Sequence, residues 1–248
     1  KASFIVAARR SYIDILAKPF LTGNNADAAF NFYDLTAKVN YNINNKNTVF
    51  LSGYFGRDVF GTGFGFNWGN SNISARWNHV FSNKLFLNAT TFYSNYDYLL
   101  DSDLKNKRPT DAFRWTSNIV NLSFKPDFTY YLTPDNTLTF GAQALSYQFS
   151  PGKATASSNG DKREFGQVDK SGVELSAYVG DEWKISPRIS VQYGVRYSNY
   201  DYKSDNGVYY ERVPVPTSIE NPTGYTLKAI QVSPNASVAN YGNWEPRF

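Results

Sequence analysis

The stretch Ile189-Ser190-Val191-Gln192-Tyr193-Gly194-Val195-Arg196-Tyr197-Ser198-Asn199 decides the fold. Successive side chains of a β-strand point to opposite faces. Ile189, Val191, Tyr193, Val195 and Tyr197 therefore make one apolar wall, and Ser190, Gln192, Gly194, Arg196 and Ser198 make a polar one. Upstream, Leu175, Ala177, Val179 and Trp183 share a face, opposite Glu174, Ser176, Tyr178, Gly180 and Glu182. Asp181 interrupts the apolar series near its end, where water is close. Between the two runs lies Ile185-Ser186-Pro187-Arg188, a tight reversal. Pro187 presets its own φ and lacks an N–H, which suits a turn.

The same unit recurs outward from this pair. Tyr33, Leu35, Ala37, Val39 and Tyr41 alternate with Asp34, Thr36, Lys38 and Asn40, and a turn at 43–47 leads into Val49, Leu51, Gly53 and Phe55. Ile73, Ala75 and Trp77 precede a turn at 82–84, followed by Leu87, Ala89, Thr91 and Tyr93. Leu122, Phe124, Phe128 and Tyr130 precede a turn at 133–136, followed by Leu138, Phe140 and Ala142. Lys1 to Tyr12 reads as a further strand, and Trp244 to Phe248 as the start of another. The pattern predicts roughly nine or ten strands, each near the ~9–11 residues of a tilted membrane strand.

The connections alternate in length. Short turns at 43–47, 82–84, 133–136 and 185–188 face longer links at 13–29, 58–67, 99–111, 150–172 and 203–243. Outer-membrane barrels have short periplasmic turns and long extracellular loops. The last link carries Pro214, Pro216, Pro222 and Pro234 and reads as flexible.

Composition agrees. The 248 residues hold 19 Tyr, 19 Phe and 5 Trp, with no cysteine. Mean hydropathy is -0.47, and no run approaches the ~20 apolar residues of a membrane helix. Tyr and Trp suit places where one end of the ring is dry and the other wet. They cluster near strand ends: Tyr93, Tyr96, Tyr98, Phe113 and Trp115 on the loop side, and Trp77, Phe81, Phe86, Tyr130, Tyr131 and Trp183 on the turn side. Two aromatic belts fit a barrel in a bilayer. The net charge of +4 is scattered, which argues against nucleic acid as a partner.

Candidate chemistry is sparse. His79 is the single histidine, and it abuts a short turn rather than the loop end where a barrel hydrolase would meet substrate. One histidine and no cysteine supply no metal cluster. Gly61-Thr62-Gly63-Phe64-Gly65 lacks the Gly-Lys-Ser/Thr and the helix a phosphate cradle needs. Asp97, Asp101, Asp103 and Asp111 offer ligands for a cation, but read rather as solvated loop charge. Neither catalytic residues nor cofactor sites are expected. Lys38, Arg76, Arg114, Glu174, Glu182 and Arg196 are the candidates for a watery lumen, since Arg or Lys at the lipid midplane costs ~2–4 kcal/mol. Tyr96, Tyr98, Tyr209 and Tyr210 are candidates for ligand contact in the loops, with membership of the upper aromatic belt as the equal alternative.

Several stretches resemble TonB-dependent outer-membrane receptors, particularly those of Bacteroidota. Ser3-Phe4-Ile5-Val6-Ala7-Ala8-Arg9-Arg10-Ser11-Tyr12 looks like an ascending barrel strand of that family. Tyr33 to Tyr41 followed by Leu51 to Asp58, Glu174 to Tyr197, and Asn243-Trp244-Glu245-Pro246-Arg247-Phe248 extend the likeness over nearly the whole chain. The resemblance implies a barrel of ~22 strands holding a plug domain, energised uptake through TonB and an outer-membrane location in a Gram-negative bacterium. It implies an unknown small ligand and allows a surface lipoprotein as partner. On this reading residues 1–248 are an internal segment of one transmembrane β-barrel domain, with the plug and remaining strands outside the chain. Two rivals stand beside it: a self-contained ten-strand barrel enzyme and a secreted carbohydrate-binding β-sandwich.

The absence of cysteine makes the alternation easy to test. A spin label at Val191 should be reached by a lipid-soluble quencher and one at Gln192 should not. Equal accessibility would contradict a wall with lipid on one side only.

Overall fold

The computed structural model describes residues 1–23, 28–61, 65–102, 112–158, 161–166, 169–204, 207–217 and 223–248. The elements run β1 (Ala2–Arg10), α1 (Ile13–Ala17), a 3-10 turn (Lys18–Phe20), β2 (Ala29–Asn44), β3 (Asn47–Gly61), β4 (Gly65–Val80), β5 (Leu85–Asp101), β6 (Ala112–Tyr131) and β7 (Asn136–Ser158). They continue with β8 (Asp161–Gly166), β9 (Lys170–Ser186), β10 (Ile189–Lys203), β11 (Val208–Pro214), β12 (Tyr225–Gln231) and β13 (Ser237–Arg247). Ten strands form one antiparallel sheet in the order β1-β2-β3-β4-β5-β6-β7-β9-β10-β13. β8 folds back on β7, and β11 pairs only with β12. β1 and β13 are the two edges of the sheet, so ten strands do not close on themselves.

Each short turn is fastened by the side chain at its entry. The Asn44 Oδ1 accepts from the Lys46 N–H at 2.9 Å. The Ser82 Oγ accepts from Leu85 at 3.2 Å, the Thr133 Oγ1 from Asn136 at 3.0 Å and the Ser186 Oγ from Arg188 at 3.3 Å. Short polar side chains that bond the backbone two or three residues on favour a turn over continued strand.

Register brings like to like. Tyr41 stands opposite Val49, Val49 opposite Trp77, and Trp77 opposite Ala89. Phe140 opposes Val179, and Val179 opposes Val195. These positions all lie on one face, and that face is bare: Leu51 is 45% exposed, Leu122 55% and Leu175 55%. Among the described residues the only buried apolar side chains are Leu87 and Ala154, whereas Ser123 and Ser176 are buried on the opposite face. A water-soluble sandwich would place the Leu and Ile side chains between two layers. Among the described residues no second layer covers them and they stand exposed, which is not the packing of the β-sandwich rival.

The apolar wall has a height. On β5 it runs from Leu87 to Tyr93, and Asn95 and Asp97 follow on the same face. On β6 Phe128, Phe124, Leu122 and Val120 give way to Asn118. On β10 Val191 to Tyr197 give way to Asn199 and Asp201. The longer runs match the ~9–11 residues a tilted strand needs to cross hydrocarbon.

The strands continue beyond this band. Eight of them have 15 to 23 residues, so the loop-side connections are shorter than the sequence suggests. The expected long link at 58–67 is almost all strand, with only 62–64 between β3 and β4. The link at 13–29 holds α1 and a 3-10 turn, and the link at 203–243 holds the β11–β12 hairpin. The last strand begins at Ser237 rather than Trp244. Tyr93 sits at mid-strand of β5, at the upper margin of the apolar wall.

The band predicts a graded response to charge in the intact protein. Val179→Arg should cost about 2–4 kcal/mol of folding stability in lipid vesicles, whereas Asn118→Arg on the same face should cost about 1 kcal/mol or less. Urea unfolding in the two variants measures this, and equal costs would remove the band.

Candidate functional site

The polar face carries a connected set of side chains across β6, β7, β9, β10 and β13. The Arg196 Nη2 donates to Glu174 Oε1 at 3.2 Å and to Gln143 Oε1 at 3.3 Å. Its Nε donates to Ser198 Oγ at 3.0 Å, and that hydroxyl donates to Glu245 Oε1 at 2.8 Å. Gln143 Nε2 reaches Ser123 Oγ at 3.4 Å, and the Tyr147 hydroxyl donates to Glu174 Oε2 at 3.3 Å. Closer to the turns, the Tyr178 hydroxyl donates to Asp127. Lys125 Nζ lies 3.1 Å from Asp127 and 5.7 Å from the centre of the Tyr178 ring. Strand periodicity explains the assembly, since each member sits on the same side of its own strand and register places it beside the next. Tyr178 can lie across β7 because Gly141 leaves the space; a Cβ there would strike the phenol.

Above this network the β11–β12 hairpin leaves an open cleft of about 1070 Å3 against the polar face. Tyr147, Glu174, Tyr200 and Tyr202 line it from the sheet, and Val208, Tyr210, Arg212, Tyr225 and Leu227 from the hairpin. The hairpin residues follow the strand period: Tyr210 opposes Ala229, Arg212 opposes Leu227, and Pro214 opposes Tyr225. The Arg212 guanidinium lies over the Tyr225 ring, 4.7 Å from its centre.

A second polar zone lies on the apolar face beyond its upper margin. Arg57 Nη2 pairs with Asp97 at 3.0 Å, Arg114 Nη2 with Asp101 at 2.8 Å, and Lys153 Nζ with Asp169 at 2.9 Å. Burial pushes the Asp169 carboxyl up, but hydrogen bonds from Lys153 and Ser150 outweigh it and hold that group below the usual carboxylate range.

The match to a known family covers residues 11–247 and is described as TonB dependent receptor-like, beta-barrel. This chain belongs to that family. Family members are outer-membrane receptors and transporters of Gram-negative bacteria rather than enzymes. No curated protein matches the sequence. Among solved structures, the copper transporter OprC superposes with a TM-score of 0.59 at 13% identity, covering 88% of this chain and 34% of that one. The ferric-catecholate import receptor Fiu from E. coli K12, in an open form, superposes with a TM-score of 0.54 at 12% identity, covering 99% and 47%. The chain thus spans about a third to a half of these proteins, and at such identity the likeness concerns the fold.

Within this receptor-family sheet the candidate residues separate. Glu174 and Arg196 meet at the centre of the polar network. Lys38, Arg76 and Glu182 share the polar face outside it, opposite Ser52, Thr90 and Gln192 respectively. Arg114 does not belong with them. It stands near the loop end of β6, on the face of Leu122 and Phe124, above the apolar band. Tyr210 and Tyr209 line the cleft; Tyr96 and Tyr98 lie on β5 and do not line it, and the Tyr98 hydroxyl accepts from Trp115 Nε1 at 3.0 Å. Asp103 and Asp111 fall outside the described residues. His79 Nδ1 and Trp77 Nε1 share one acceptor, the Asn47 Oδ1, at 2.7 and 3.0 Å, near a short turn. Among the described residues no group of three metal-ligating side chains gathers.

Sequence reasoning missed Gln143, Tyr147, Tyr200, Tyr202 and Arg212. For two of them the signal was present: Tyr200 and Tyr202 continue the series Arg196, Ser198 on the same side of β10.

The polar network should behave as a unit. A double-mutant cycle with Arg196→Met and Glu174→Gln should give a coupling energy of about 1–3 kcal/mol in unfolding of the intact receptor, as expected for charged partners sharing hydrogen bonds. A coupling near zero would mean that the residues act independently.

Proposed function

We propose that this chain forms part of the wall of a TonB-energised uptake receptor in the outer membrane of a Gram-negative bacterium, of the Bacteroidota type. The bare apolar face meets lipid, and the polar face, with Lys38, Arg76, Glu174, Glu182 and Arg196, lines a watery interior. The observation that carries the reading is the inversion of burial: serines are buried on the polar face while Leu122, Leu175 and Ile73 stand exposed on the other. In hydrocarbon that arrangement is stable; in water an apolar surface of this extent would aggregate.

The reading requires further parts. Unpaired backbone groups on β1 and β13 would each cost several kcal/mol in hydrocarbon, so the complete receptor supplies neighbouring strands to both. A plug domain fills the interior and relays energy from TonB. The short turns face the periplasm, and the β11–β12 hairpin and the cleft beneath it face outward, where ligand arrives. The wall performs no chemistry. Its polar side chains offer hydrogen bonds to plug, water and passing ligand, and a surface lipoprotein is a compatible partner.

Topology and energy coupling test this together. An epitope inserted after Thr217 should bind antibody on intact cells, whereas one inserted between Asn45 and Lys46 should bind only after the outer membrane is permeabilised. The purified parent protein should also bind the periplasmic domain of TonB. The reverse accessibility, or recovery of the parent as a soluble protein without TonB binding, would overturn the reading.

A further inference from the structure

We propose that the cleft between β11–β12 and the polar face binds an acidic oligosaccharide, with sugar ring faces on tyrosine and a carboxylate on Arg212. This rests on the uptake reading and names the class of ligand taken at its outer face. Three observations lead to it.

The first is shape. The cleft holds about 1070 Å3, at or above the ~300–1,000 Å3 of a pocket for a single drug-sized molecule. It therefore suits a chain of several rings. The second is the aromatic floor. The Tyr200 side chain reaches across β9 over Gly172, where any Cβ would collide with the phenol. Tyr200 lines the cleft and offers its ring to a ligand there. Tyr147 meets it edge-on, 6.2 Å between centres at 65°. Tyr210 lines the opposite wall on the hairpin. C–H groups on the face of a pyranose carry slight positive charge and pack on the negative face of such a ring, while the Tyr147 hydroxyl, which donates to Glu174, can still accept from a sugar hydroxyl.

The third observation is charge. Glu174, Lys170 and Arg212 line the cleft. The Glu174 charge is met by Arg196 at 3.2 Å, which leaves an excess of positive charge from Lys170 and Arg212. Arg212 is held over Tyr225, 4.7 Å from its ring centre, so its position is restricted before a carboxylate arrives, and guanidinium–carboxylate pairing is commonly bidentate. Glu174 still offers carboxylate lone pairs close to Tyr147, suited to hydroxyl donors and hostile to a densely anionic metal complex. Ring faces, hydroxyls and an isolated carboxylate together describe a uronate-type sugar.

Binding to the purified complete receptor tests the assignment with three probes: trigalacturonate, its fully methyl-esterified form, and a ferric tris-catecholate complex. Trigalacturonate should bind, and esterification should weaken it about tenfold or more, the scale of a charge-assisted hydrogen bond. Tyr200→Leu should weaken both sugars. Arg212→Gln should bring the acid down to the ester, while Arg212→Lys keeps part of the preference. Equal affinity for acid and ester, a preference for the ferric complex, no binding of trigalacturonate, or an Arg212→Gln receptor that still discriminates would each overturn the proposal. In any of these cases, a receptor that still shows the epitope topology and binds TonB loses only its ligand assignment.

Discussion

Everything in this sheet depends on where backbone amides find partners. Hydrocarbon offers no hydrogen bonds, so each spanning residue must donate and accept within the protein. Strands meet that demand only by lying between two others, which is the situation of β2 to β7, β9 and β10. Once the backbone is bound in this way, the side chains have no freedom left in choosing sides. Every second one goes to lipid and the rest go inward, and a slip of one residue would exchange the two sets. The polar network and the bare leucine wall are two results of one constraint.

That constraint also explains which parts were readable in the amino-acid order. Within the band, two different solvents press on the strand, and alternation is strong. Val191 against Gln192 and Leu175 against Glu174 are clear without coordinates. Above the band both faces meet water or other protein, so the period fades although the strand continues. Arg114 shows the effect. Its neighbours Phe113 and Trp115 are aromatic on the opposite side, and the local pattern points the wrong way until register with Asp101 fixes it. The β11–β12 hairpin was hidden for a similar reason. Pro214 and Pro216 read as loop, yet Pro214 ends a strand at the position where a missing N–H is tolerated.

The site is less legible than the wall, because it is made by register and not by motif. Arg196 and Glu174 are separated by 22 residues, Gln143 and Arg196 by 53, and Ser198 and Glu245 by 47. No short signature predicts such a set. What the sequence supplied was the face on which to look, and the sheet order supplied the neighbours. The cleft needed one thing more, the return of a hairpin over the polar face, which no periodicity announces.

The strand extension has a consequence for where encounter takes place. β5 continues eight residues past Tyr93, from 93 to 101, which at ~3.3 Å per residue is about 26 Å of chain. In the orientation proposed above, and even with the usual slant, the rim of the sheet would stand well clear of the headgroups, like a chimney through the sugar coat of the outer leaflet. In that orientation a molecule diffusing outside would touch tyrosines and arginines of this rim before it came near any lipid.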